Sequence, residues 1–374
     1  MKLSEEFSFG LETEYMLVDA ETYAPLWHRE LNFHELDHIF ANVPNLDISK
    51  KGLKSQPPHS IPGHYLVEGY HCFNERGKAL SILPKGIEIR TSICETIDQT
   101  VSQFNSLYKR LSLPLLQNGY RLCSVSFHPR ESEFFGEQNH RNLFQWCWAQ
   151  RAMCTYGPDF NIQIPQSILT PSFWKNIREK VNHYAPALAA ASFCSPFFHG
   201  KLWTPLNFPG LSVRTFQRCK YAPLFEYHIE ENGRFECNIF EMPTSLAEIK
   251  VYFLLWLTLL IDTQLKGRST DSTSKNELCE VAIFGLPTKD FSKRGLAVID
   301  AAFDQLPKYG IDPSPLLNFR KRFEQRWCPS LHLQNIFWET GTIEATLFHR
   351  CELIEDGWNP SLESQLTDQE LIYA

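Results

Sequence analysis

Phe9-Gly10-Leu11-Glu12-Thr13-Glu14-Tyr15-Met16-Leu17-Val18-Asp19 is the stretch on which the fold turns. Phe9, Leu11, Tyr15 and Leu17 alternate with Gly10, Glu12, Glu14 and Met16. Strand side chains repeat every second residue, so Glu12 and Glu14 must share a face. The same alternation recurs in residues 87–91, where Glu88 and Arg90 oppose Ile87 and Ile89. Residues 160–164 set Asn161 and Gln163 against Phe160, Ile162 and Ile164. Residues 234–239 set Arg234, Glu236 and Asn238 against Phe235, Cys237 and Ile239. Each strand carries one apolar face and one face of carboxylates, amides or guanidinium groups. An antiparallel sheet with a solvated face would also alternate. Solvated faces mix Lys, Thr and Ser, however, whereas Glu recurs here almost without Lys. Like charges two residues apart repel unless a cation lies between them, and hard divalent cations prefer carboxylate oxygens. The pattern predicts a sheet with a Mg²⁺- or Mn²⁺-binding face.

The 374 residues are 43% hydrophobic and 21% charged, which excludes a disordered chain and allows a large core. A formal net charge of −7 leaves no nucleic-acid footprint. The longest apolar run, residues 251–261, is too short for a membrane span. The first six residues carry two acids and no apolar segment, which predicts no signal peptide. Eleven cysteines without a CxxC pair read as reduced, small buried side chains in a cytoplasmic protein.

Helices fill the gaps between strands. Residues 99–113 are amphipathic, with Pro114 and Gly119 as stop signals. Residues 141–153 are aromatic-rich, and residues 174–194 contain Pro186, which predicts a break or kink. Ser245 and Glu248 form a capping-box pattern before an almost wholly apolar helix reaching about Asp262. Residues 266–276 read as a polar connection, followed by helices over 297–304, 314–327 and 331–348, and an acidic tail from Glu352. With no repeat and no linker, this is one α+β unit: residues 1–265 form its core and 266–374 a helical C-terminal part.

Taken together, these stretches resemble the carboxylate–amine ligases of the glutamate–cysteine ligase type 2 family. The opening strand, Ile87-Glu88-Ile89-Arg90-Thr91 followed by Cys94-Glu95-Thr96, Phe127-His128-Pro129, residues 185–200 and residues 233–246 fall in the family's order over about residues 7–265. The resemblance implies a glutamine synthetase-like fold, a curved antiparallel sheet with helices packed on its outer face and ATP and Mg²⁺ on the inner one. It implies amide-bond formation from a carboxylate, typically that of glutamate, through an acyl phosphate and an attacking amine. Glu12, Glu14, Glu88 and Glu236 would be metal ligands. Arg90 and Arg234 would contact phosphate or substrate carboxylate, and Asn161 and Gln163 would lie at the nucleotide. Both substrates would be small molecules, and a homo-oligomer is left open.

Several positions depart from the family pattern. Asn161-Ile162-Gln163-Ile164-Pro165 stands where the family has His-apolar-His-apolar-Gly, and Glu236-Cys237-Asn238 where it has Glu-x-Arg. Pro84 and Lys85 occupy a stretch expected to carry a further acid, and Glu230 and Glu231 one expected to carry arginine. Arg214, Arg218 and Lys220 are the nearby cations that could take over the phosphate contacts. The alternative is a catalytically inactive relative that binds a metabolite or partner. Separately, His34-Glu35-Leu36-Asp37-His38 matches the zinc-hydrolase pattern HExxH. Phe33, Leu36, Ile39 and Phe40 would form the buried stripe of that helix, which turns both histidines outward. His59, His64 and His71 lie in a Pro/Gly-bearing stretch and read as loop or surface residues.

Overall fold

The computed structural model describes residues 7–44, 47–54, 56–59, 63–231, 233–286 and 290–354. The chain runs β1 (Ser8–Asp19), α1 (Phe33–Ala41), β2 (Tyr65–Phe73), β3 (Ala79–Arg90), α2 (Ile97–Gln117), β4 (Tyr120–Cys123) and α3 (Leu143–Ala152). Next come β5 (Pro158–Gln163), α4 (Pro171–Ala190), the short pair β6 (Phe197–Phe198) and β7 (Lys201–Leu202), α5 (Val213–Phe216), β8 (Phe225–His228) and β9 (Arg234–Cys237). Six helices follow: α6 (Leu246–Ile261), α7 (Asp271–Phe284), α8 (Phe291–Gln305), α9 (Leu316–Glu324), α10 (Pro329–Thr340) and α11 (Ile343–Phe348). The acidic tail expected from Glu352 lies mostly outside the described residues.

A seven-stranded sheet in the order β2-β3-β1-β5-β9-β8 organises the molecule, with β4 also paired to β1. Every pairing in it is antiparallel. β1 is the common strand. It meets β5 through Ser8–Thr13, β3 through Glu12–Tyr15 and β4 through Met16–Asp19.

The apolar face of the sheet lies on α6. Phe160 of β5 meets Phe253 at 4.8 Å and Tyr252 at 5.8 Å between ring centroids, both edge-on. Tyr252 stacks on Phe240 at 4.3 Å. Ser245 caps α6 by accepting from the Glu248 amide at 3.1 Å. The Glu248 carboxylate reaches back to the Thr244 amide at 2.7 Å and pairs with buried Arg322 of α9, so the expected box is only half formed. That ion pair ties the C-terminal helices to the core. Among the described residues no helix is long and apolar enough to cross a membrane.

Four expectations need correction. Residues 271–276, read as part of a polar connection, instead open α7, capped by Thr270, which accepts from the Thr273 amide. Pro114 and Pro186 lie inside continuous helices, α2 and α4. A mid-helix proline forfeits one backbone bond, and burial of Leu111, Leu115, Ala185, Ala187 and Leu188 around them outweighs that loss. Residues 331–348 are two helices, because Gly341 ends α10 in the left-handed conformation at φ +72°. His59 and His64 are buried rather than at the surface, and His71 lies within β2. His64 Nδ1 lies 2.8 Å from the Arg90 carbonyl, and His59 Nε2 accepts from the Val67 amide at 2.9 Å.

Helix α1 buries Phe33, Leu36, Ile39 and Phe40 and leaves His34 and His38 exposed. His34→Ala should therefore change stability by less than about 0.5 kcal/mol and release no stoichiometric zinc by atomic absorption. Phe160→Ala should cost about 3–5 kcal/mol in urea unfolding, because the ring fills the contact between sheet and α6.

Candidate active site

Register places the polar side chains of five strands on one face. Glu12 stands opposite Arg90 on one side and Asp159 on the other. Glu14 stands opposite Glu88. Asn161 faces Glu236, and Glu236 faces Glu226. Paired residues in an antiparallel ladder point the same way, so Glu12, Glu14, Glu88, Asn161 and Glu236 share one surface.

A β-bulge adds a cation to that surface. The pairing of β2 with β3 shifts between Glu68, opposite Gly86, and Gly69, opposite Pro84, which leaves Lys85 as the extra residue. A bulge breaks the alternation locally and re-aims a side chain. Here it sends Lys85 under the carboxylates. Lys85 Nζ donates to Glu14 Oε2 at 2.8 Å, to the Ala152 carbonyl at 2.9 Å and to the Thr155 carbonyl at 2.8 Å. All three ammonium donors are used, and the residue is 2% exposed. The bulge needs glycine on both sides: a Cβ on Gly69 would lie 2.0 Å from the Leu83 oxygen, and one on Gly86 2.1 Å from the Tyr15 oxygen.

Even with Lys85 present, negative charge dominates. Burial, then repulsion from Glu12, pushes the Glu88 carboxyl well above the carboxylate range. Burial, then Glu236, does the same to Asp159. Glu68 is pushed up to about 7 by burial and by Glu14. Glu226 is raised by burial and by Glu236. Protonation or a bound cation relieves such a cluster, and its hard oxygen donors suit a divalent ion. The residues thus fit the expected metal, although Glu14 is already paired with Lys85. At the sheet edge, ligand atoms of Glu226, His228 and Glu236 lie within 4.8 Å of one another. His228 Nε2 is 3.1 Å from Glu236 Oε2, which also accepts from Arg234 Nη1 at 2.6 Å.

The remaining predicted residues divide into two groups. Arg90 donates to the carbonyls of Lys54 at 3.2 Å and Gly63 at 3.0 Å and lies 3.7 Å from Glu88. Arg234 grips Asn161 as well as Glu236, and Gln163 accepts from Ser8 at 3.1 Å. These four are tied into the sheet. Arg214 and Arg218 instead border a cavity of ≈ 160 Å³ above it, together with Glu14, Lys85, Asp159 and Glu236. Arg214 donates to the Phe240 carbonyl at 3.0 Å. Arg218 donates to the carbonyls of Ala222 and Pro223, both at 2.9 Å, and to that of Asn238. Burial and the neighbouring Arg214 lower its pKa to about 9. Lys220 lies outside this cavity, in the wall of another.

Helix α5 carries Arg214, and a buried carboxylate fixes its start. Glu241 accepts from the Ser195 hydroxyl at 2.9 Å, from the Cys194 amide at 2.6 Å and from Ser212, the cap of α5. From the other side Trp148 and Arg151 of α3 close over the cavity. Helix α3 has no buried residue, and its Phe144 and Trp148 are exposed.

Five site residues escaped the sequence reading. Asp159 was detectable, since alternation carried back two residues from Asn161 reaches it. Glu226 and His228 alternate with Phe225 and Tyr227 in a strand too short to stand out. Glu68 lies on β2, whose pattern the bulge breaks. Lys85 left no signal.

The raised carboxyls set a sign for stability against pH. Glu68 titrates near 7 when folded and near 4.3 when unfolded, so between those values the folded protein binds the extra proton. Metal-free stability should therefore fall as pH rises through that window. Urea midpoints should be lower at about pH 8 than at about pH 5, with a smaller drop in Glu68→Gln; a midpoint that rises with pH contradicts this. Lys85→Met should cost about 3–5 kcal/mol without metal, and added Mg²⁺ should recover part of the loss.

The fold and this site can be set beside known proteins. The bifunctional glutathione synthetase of Pasteurella multocida superposes with a TM-score of 0.61 at 12% identity, covering 98% of this chain and 54% of that one. The ligase PafA, solved in complex with the prokaryotic ubiquitin-like protein Pup, gives 0.52 at 11% identity over 97% of this chain and 80% of its own. The glutamate–cysteine ligase of Francisella tularensis, solved in complex with AMP, gives 0.51 at 13% over 97% and 92%. At these identities the likeness is one of fold. In sequence, a Thermobifida fusca (strain YX) protein named "Putative glutamate--cysteine ligase 2" is 26% identical over 203 residues, 53% of this chain and 42% of the relative. The match thus spans less than half the length of that relative. The family model for glutamate–cysteine ligase family 2 matches residues 8–212, more than half of the chain, and the chain belongs to that family.

Proposed function

We propose that the chain is an ATP-dependent carboxylate–amine ligase whose cation site is partly rebuilt from its own side chains. The observation that carries this reading is the shared acidic face, where burial and mutual repulsion hold Glu88 and Asp159 far above the carboxylate range. A surface with that excess charge, beneath a cavity bordered by two arginines, suits a cation and a phosphorylated ligand together.

The reaction has two steps. A carboxylate oxygen of the acid, with the γ-carboxylate of glutamate the first candidate, attacks the γ-phosphorus of ATP, and ADP leaves with the electrons of the broken P–O bond. The amine nitrogen then attacks the acyl carbon, inorganic phosphate departs, and the nitrogen gives up a proton. Mg²⁺ or Mn²⁺ held by Glu12, Glu14, Glu88 and Glu236 would neutralise phosphate charge when bound. Arg214 meets the transferred phosphoryl group from the cavity wall. Arg218 holds the loop around Ala222 and Pro223 that shapes this wall. Arg90, Arg234, Asn161 and Gln163 act on the sheet and its carboxylates, through the bonds already described. The eleven cysteines are all unbridged, which supports a reducing, cytoplasmic setting.

One observation favours a second reading. Lys85 and Arg234 already sit on Glu14 and Glu236, as they would in a relative that binds a metabolite without turning it over. ADP release over a panel of acids and amines, glutamate first, separates the two. The ligase reading expects turnover that falls at least about 100-fold in Arg214→Ala with unchanged thermal unfolding. Absence of nucleotide binding at millimolar ATP and Mg²⁺ would establish the non-catalytic reading instead.

A further inference from the structure

Behind the wall of the sheet site lies a larger cavity, ≈ 450 Å³, between α4, α7 and the segment joining α5 to β8. Arg218, Cys219, Ala222 and Pro223 border both spaces, so a single loop separates them. Arg178, Arg218, Lys220 and Lys275 line the larger cavity against one acid, Asp271. Asp271 is already compensated: Arg178 Nε donates to it at 2.9 Å and Asn182 Nδ2 at 2.8 Å. Among the described residues Lys220 and Lys275 are left without a carboxylate partner, and both are exposed to the cavity mouth. Leu224, Phe225 and Leu278 supply an apolar wall.

Ser274 also borders the cavity and is 2% exposed, yet its hydroxyl has no hydrogen-bond partner. Buried hydroxyls are normally paired. This oxygen is closed off from the cavity, so the cations and the apolar wall, not the hydroxyl, define the space.

We propose that the cavity is a second binding site, distinct from the sheet site, for a small organic anion with an apolar body. Its phosphate or carboxylate meets Lys220 and Lys275, and its apolar part lies on Leu224, Phe225 and Leu278. Occupancy is felt at the sheet site, because the loop that the ligand presses on also carries the Arg218 bonds to Ala222, Pro223 and Asn238.

Calorimetry of the full chain with phenyl phosphate, phenylacetate and inorganic phosphate tests this. At least one phenyl ligand should bind about tenfold more tightly than inorganic phosphate, and the better of the two identifies the headgroup. Lys275→Glu, at an exposed position, should weaken that binding at least about tenfold without changing thermal unfolding, and Lys220→Glu should weaken it too. Arg214→Ala, altered only at the sheet site, should leave it unchanged. No saturable binding, equal binding of all three probes, or binding that Lys275→Glu leaves intact while Arg214→Ala abolishes it would overturn the proposal.

Discussion

Two carboxylates on one strand, two residues apart, cannot move away from each other. The pleat fixes their spacing, and pairing on both sides of β1 fixes the pleat. Everything on the polar face answers that constraint. Glu88 and Asp159 enter from the flanking strands at the same level as Glu14 and Glu12, so each addition raises the electrostatic cost of leaving any of them ionised. The opposite face supplies the stabilisation that tolerates this. Phe9 and Phe160 rest on a helix buried along nearly its whole length, and the sheet cannot relax its charges without giving up that contact.

The same geometry explains what was readable from residues alone. A period of two is a strong signal in a long strand, and β1 displays it from Ser8 to Tyr15. Once that strand was placed, Glu88, Asn161 and Glu236 followed, because each lies in a segment with the same alternation. Helix α1 was equally plain, since Phe33, Leu36, Ile39 and Phe40 have helical spacing and no other element competes for them.

What could not be read depended on register. Lys85 lies among apolar and glycine residues and, by simple alternation, would point with Ile87 into the core. Only the one-residue slip against β2 turns it over, and that slip belongs to the pairing of two strands. The prolines misled for a related reason: local preference spoke for a break, and burial around Pro186 decided otherwise. His64 looked like a surface residue because its partner, the Arg90 carbonyl, is distant in sequence, whereas the Val67 amide that binds His59 lies only eight residues on.

The bulge at Lys85 has a consequence for how the acidic face meets its surroundings. An ammonium on a short tether is a counter-ion that neither diffuses away nor responds to a chelator. Its effective concentration at Glu14 is set by the backbone. One unit of positive charge is thus supplied by the gene rather than by the ionic composition of the medium, and that part of the sheet is insulated from swings in free magnesium that would be felt fully by a site made of carboxylates alone.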